Sequence, residues 1–175
     1  MLRILVCLAV LPLAGCVVKA GDSALGALLD SPDGGGGVRQ INAVEDMSFA
    51  EILNTYRASI GGNPVTFDSR LNQAAQDYAD VLAANPGYLG SAADPHIGPD
   101  GSTTLSRIQA TGYVPTAYAE NLAGNQGNEQ TALQAWIDSP SHDRNLRGGP
   151  LEEFGLGLAE ASGGRTRWVL VLGTE

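Results

Sequence analysis

The chain has 175 residues and carries 19 Asp+Glu against 10 Lys+Arg, a formal net charge of −9. So acidic a surface is repelled by phosphate backbones and has no cation excess to release counterions, which argues against nucleic acid as a partner. The only two cysteines are Cys7 and Cys16. The remaining chain has no disulfide to draw on, so packing in one domain-sized core must supply its stability.

At the N-terminus, Arg3 precedes an apolar run from Ile4 to Leu13 and the small residues Ala14 and Gly15. That order is a secretory signal. The run is roughly ten residues, whereas a membrane-spanning helix needs about 20, so no transmembrane helix is predicted. Leu13-Ala14-Gly15-Cys16 resembles the lipobox of bacterial lipoproteins. The resemblance implies removal of residues 1–15 and lipidation of Cys16, with diacylglycerol and a palmitate-type acyl chain anchoring the mature chain. Val17 stands where an aspartate marks inner-membrane retention in many such proteins, so an outer-membrane address facing the periplasm is expected. In a host with one membrane, the same lipid would place the domain on the outer face of the cell. Residues 16–46 contain Ser31-Pro32-Asp33 and four consecutive glycines, Gly34 to Gly37, which read as a flexible tether. Its reach is on the order of 30 Å.

The folded part, residues 47–175, opens with Ser48-Phe49-Ala50-Glu51, where serine and the glutamate three residues on form a capping box. Phe49, Ile52, Leu53 and Tyr56 then recur at helical spacing, until Gly61-Gly62-Asn63-Pro64 ends the helix. Asp68 caps a second helix whose apolar stripe is Leu71, Ala74, Ala75, Tyr78, Ala79 and Leu82. It should stop near Asn85-Pro86-Gly87. After a loop from Gly90 to Asp100, a short helix from about Thr103 to Ala110 turns Leu105 and Ile108 inward, with Gly112 at its C′ position. Another helix carries Ala132, Leu133, Trp136 and Ile137 to Asp138. Ser139-Pro140 starts a further short one, which puts His142 in its first turn. Phe154, Leu156 and Leu158, the pair Gly163-Gly164 and the run Trp168 to Leu172 read as an antiparallel hairpin. Helices first and strands last argue an α+β fold.

Beyond the signal there are only two histidines, His96 and His142, each in a segment of turn or capping residues. Unpaired N–H groups at a helix start disfavour imidazolium at His142, leaving a neutral ring able to ligate a metal or accept a proton. Glu120 is a charged residue in the rather apolar stretch Tyr118 to Leu122, which calls for a dedicated partner. Trp136 reads as core, Asn121 and Asn145 as loop ties, and Arg107 and Arg144 as surface or loop clamps. Ser102, Ser106 and Ser141 could act as nucleophiles only with a histidine in hydrogen-bond reach.

From Phe49 to Leu172 the chain resembles the CAP (SCP) superfamily of cysteine-rich secretory proteins, antigen 5 and pathogenesis-related proteins, in its short bacterial form. The resemblance is carried by Leu53-Asn54-Tyr56-Arg57, Leu71-Asn72-Ala74-Ala75, His96 with Asp100-Gly101-Ser102, Arg107-Ile108 with Gly112-Tyr113, Glu120-Asn121-Leu122-Ala123, Trp136 to Leu146, and Phe154-Gly155-Leu156-Gly157. It implies an α-β-α sandwich around a small central antiparallel sheet, with a cleft where His96, Glu120 and His142 converge and Asp138 is expected to join them. It also implies that His96 and His142 bind a divalent metal, zinc above all. A second acidic residue found in many relatives has no clear match: Ser139 holds its spacing and Asp138 is the nearest carboxylate.

Two imidazoles and Glu120 would suit zinc with an open fourth position. Alternatively Glu120 orients a histidine and leaves two protein ligands. Three functions are open. The leading one is a non-enzymatic cell-envelope binding module whose cleft takes a metal and a small, lipidic or peptidic ligand. The second is a metal-assisted hydrolase or protease with Glu120 as general base. The third is a structural envelope protein.

Overall fold

A computed structural model describes residues 48–175. The signal segment, Cys16 and the whole tether lie outside the described residues. No described helix is long and apolar enough to cross a membrane.

The first helix, α1, runs Phe49–Ser59 behind the expected capping box, in which Ser48 and Glu51 satisfy each other's backbone groups. A two-residue strand β1, Thr66–Phe67, leads to α2, Ser69–Ala84, whose first N–H groups donate to the Asp68 carboxylate. All six stripe residues of α2 are buried. A single 3-10 turn at Tyr88–Gly90 and a loop precede α3, Thr104–Ala110. Here Thr103 is the cap, and Thr104 rather than Leu105 points inward beside Ile108. Strand β2 is Ala117–Gly124, followed by α4, Glu129–Ile137, and α5, Pro140–Leu146. Pro140 sits at the first helical position, but Ser139 makes no side-chain cap and instead lies 3.3 Å from the Ser141 hydroxyl. The predicted hairpin is β3, Glu153–Ala161, and β4, Arg165–Thr174, turning at two glycines with positive φ.

The sheet order is β1-β3-β4-β2. Strands β3, β4 and β2 are antiparallel, as the resemblance implies, and β1 adds a short parallel edge beside β3. Because β4 is central and covered on both faces, it reads as an unbroken apolar run, Trp168 to Leu172, instead of an alternation. Trp168, Leu170 and Leu172 join α1, α4 and α5 in one core cluster with Trp136 and Phe154. Val169 and Val171 join α2 and α3 in the other. The result is a three-layer sandwich.

Two glycines set the distance between α2 and the sheet. A Cβ at Gly155 would fall on the backbone of Leu71 and Asn72, and one at Gly157 on the backbone of Ala75 and Gln76. Their missing side chains let the helix lie directly on β3, where Asn72 and Gln76 accept from the backbone N–H groups of Leu156 and Leu158.

On the other face, Arg57 is 1% exposed yet holds no carboxylate. Its guanidinium donates to the carbonyls of Asn63, Leu146, Gly148 and Leu151. It thereby ties the end of α1 to the chain leaving α5.

Candidate functional site

Strand β2 lies at the sheet edge, so its consecutive side chains reach the two helical layers from one backbone position. Glu120 points to the α2 and α3 layer and Asn121 to the α5 layer. Both are buried.

Glu120 is the centre of the first set. Its Oε1 accepts from His96 Nδ1 at 2.8 Å, Thr104 Oγ1 at 3.0 Å and Arg107 Nη2 at 3.1 Å, and its Oε2 accepts from the same Arg107 Nη2 at 2.8 Å. Arg107 also donates to the carbonyls of Ser102 and His96. Its guanidinium stacks 3.5 Å from the centroid of Tyr78. The Tyr78 hydroxyl in turn donates to the Pro95 carbonyl, and burial pushes this phenol up to about 12. The loop bearing His96 is thus pinned on both sides of the histidine.

A carboxylate that accepts from Arg107 at both oxygens can only accept from His96 as well, so Nδ1 carries the His96 proton. This leaves Nε2 as the free edge of a ring whose side chain is 41% exposed. The hydrogen bond to Glu120 raises the His96 pKa from its ordinary 6.5, against the opposing effect of burial.

In the second set, Asn121 donates to the His142 carbonyl at 3.1 Å. Asn145 donates to Asn121 Oδ1 at 2.8 Å and to the Glu120 carbonyl at 3.3 Å. These amides fasten the first turn of α5, and with it His142, to the back of β2. The His142 pKa is lowered from 6.5, first by burial and then by the charge of His96. Burial, rather than the helix start, is thus the larger influence toward a neutral ring at His142.

Asp138 behaves differently from the cleft residue it was expected to be. It is exposed at the end of α4 and accepts from Gln134 at 2.8 Å. Among the described residues no hydrogen bond ties it to either histidine. No serine hydroxyl bonds a histidine there either: Ser102 takes a hydrogen bond from Arg107, Ser106 donates to Thr103, and Ser141 pairs with Ser139. Arg107 is the residue whose importance the sequence concealed, because a clamp and the counter-ion of a buried carboxylate look alike at that level.

The donor set fits a three-ligand metal centre poorly. Oε1 of Glu120 is saturated, and the place beside Oε2 is held by a guanidinium that would repel a cation. Among the described residues no group of three His, Cys, Asp or Glu side chains could hold an ion. Two imidazoles remain, His96 and His142.

A three-layer sandwich of this topology, with one histidine tied to each face of its edge strand, is the frame to which the comparisons apply. Residues 50–172 match the model of the cysteine-rich secretory protein (CAP) family, and the chain belongs to that family. Among solved structures, an outer surface protein of Borrelia burgdorferi is similar at 21% identity and a TM-score of 0.63, over 72% of this chain and 89% of the other. An extracellular protein with an SCP domain from Bacillus anthracis is similar at 18% identity and a TM-score of 0.63, over 73% of this chain and 39% of that one. A cysteine-rich secretory protein of Staphylococcus aureus is similar at 17% identity and a TM-score of 0.55, over 79% and 41%. The chain thus spans about two fifths of the latter two. No curated protein matches.

Proposed function

We propose that this chain is a cell-envelope lipoprotein whose CAP domain is a non-enzymatic binding module, with His96 and His142 lining the cleft that takes its ligand. The observation that carries the reading is the commitment of Glu120. A general base needs a free oxygen lone pair near a water or substrate. Glu120 is 6% exposed and spends its oxygens on Arg107, Thr104 and His96, so it holds the cleft wall and His96 in place. The two rings then offer one exchangeable proton site and one neutral acceptor to a small, lipidic or peptidic ligand, or a weak two-imidazole seat for a divalent ion.

Zinc added to the purified protein should be lost on dialysis, and His96→Ala with His142→Ala should abolish what binding there is while the circular dichroism stays unchanged. Stoichiometric zinc that survives dialysis, or chelator-sensitive turnover of a peptide and ester panel, would overturn the reading in favour of a hydrolase. Ligand adducts in native mass spectra of protein purified from its own membranes should disappear in the same double variant.

The envelope address is supported by the lipobox-like Leu13-Ala14-Gly15-Cys16 and by the printed descriptions of the similar structures as outer surface, extracellular or secretory proteins. Lipid on Cys16 would hold the domain at a membrane, with Val17 favouring the outer one. Palmitate labelling should be lost on Cys16→Ser; labelling that persists would refute the anchor.

A further inference from the structure

Three arginines of this domain are largely withdrawn from water, and each has a different partner set. Arg107 pairs with Glu120. Arg57 is spread over four carbonyls. Arg167, on β4 and 3% exposed, has neither arrangement. It donates to the carbonyls of Thr166 and Pro86, each at 2.8 Å, and its Nε–H is buried with no acceptor. A buried charge is stable only when paired or fully hydrogen-bonded.

Its neighbourhood increases the imbalance. Arg165 lies two residues earlier, so both guanidinium groups belong to the same face of the sheet. Each charge disfavours the other, and burial with the charge of Arg165 lowers the Arg167 pKa. Among the described residues neither arginine forms a salt bridge. The carbonyl end of α2 beside Pro86 offsets only about half a charge. In a chain of net charge −9, two adjacent cations without an acid are a deliberate local reversal of sign.

These two residues line a cavity of about 370 Å³ together with Pro86, Leu89, Leu122 and Gly124. A Cβ at Gly124 would lie 3.3 Å from Arg167 Nη1 and 3.5 Å from Leu89, so a larger side chain there would enter the cavity between its two walls. The volume is that of a small-ligand site, with a cationic wall and an apolar wall. From these observations we infer that the cavity over Arg165 and Arg167 binds an organic oxyanion, a phosphate monoester or carboxylate whose charged head meets the guanidinium groups while its apolar part covers Leu89 and Leu122. Glu120 lies four residues back along β2, about 13 Å away at strand spacing. The site is therefore separate from the histidine cleft and stands whether or not the reading of that cleft does.

The test is titration of the ¹⁵N-labelled protein with phenyl phosphate, phenylacetate and inorganic phosphate, following the Arg167 Nε–H and Gly124 amide resonances. One of the two phenyl compounds should saturate below about 10 mM, and whichever binds more tightly identifies the head group. Inorganic phosphate should bind more weakly because it leaves the apolar wall uncovered. Arg165→Ala, a change at an exposed side chain that the fold tolerates, should weaken binding by about tenfold or more, and Arg165→Glu should abolish it. Gly124→Val should block the cavity, and His96→Ala should leave the affinity within about twofold, apart from any effect on the other cleft. Absence of saturation with both phenyl compounds, equal binding by Arg165→Glu, or inorganic phosphate binding as tightly as phenyl phosphate would each overturn the inference.

Discussion

The two sides of strand β2 solve the same problem with opposite chemistry. On one side a full charge is buried: Glu120 is neutralised by Arg107 and steadied by Thr104, and it holds His96 through Nδ1. On the other only neutral amides are used, with Asn145 and Asn121 passing a hydrogen bond to the His142 backbone. The charged side pulls its histidine toward protonation, and the neutral side leaves its histidine to burial, which disfavours the proton. Two rings that look equivalent in the sequence therefore differ in protonation tendency, and each is supported from a different face of one strand.

The comparison breaks most sharply at Glu120. Glu120→Ala strands the Arg107 guanidinium, and unfolding in urea should show a loss of about 3–5 kcal/mol, the usual cost of removing one member of a buried pair. Asn121→Ala, on the neutral side, leaves amide and carbonyl partners unpaired and should cost about 1–3 kcal/mol. Thr104→Val removes one hydroxyl donor while keeping its shape, at about 1 kcal/mol.

A smaller and more specific effect is on titration. In NMR titrations of the intact protein, His96 should titrate above 6.5 and His142 below it. Glu120→Gln should bring the His96 value down while His142 remains low. The linked stabilities have opposite signs. Stability from His96 is fully present below 6.5 and is lost as pH rises through its raised folded value. Stability from His142 is present above 6.5 and is lost as pH falls through its lowered one. Taken together, these two groups favour a stability maximum near 6.5, and His96→Ala should remove its alkaline shoulder and, with the His96 charge gone, lessen the loss on the acid side.

Features governed by neighbours in sequence were legible before the fold was known. The Ser48 box, the Asp68 cap, the α2 stripe, Pro140 at a helix start and the Gly163-Gly164 turn are all local chemistry, and each stands where expected. Strand β2 carries no strand signature in the sequence, because its polar residues Glu120 and Asn121 sit side by side and both are buried, so no alternation survives. Glu120 still announced itself as a charge among apolar residues. Its chief partner did not: Arg107 is on a different element, and nothing local distinguishes it from a surface arginine. Arg57 and Arg167 were hidden for the same reason, since what buries them is brought from loops 6 to 94 residues away.

The glycine seam between α2 and β3 makes these two elements inseparable on the timescale of amide exchange. With no side chains between the backbones at Gly155 and Gly157, the helix has no cushion that could yield locally, and lifting it exposes Leu71, Ala75 and Tyr78 at once. Amides of α2 should therefore exchange only through the opening of the whole domain. Tyr78, which carries Arg107 on its ring and holds the Pro95 carbonyl, belongs to that unit. The loop that presents His96 is thus tied to a unit expected to open only with the core, and in the proposed binding cleft a ligand that needs more room would find it on the side of α5.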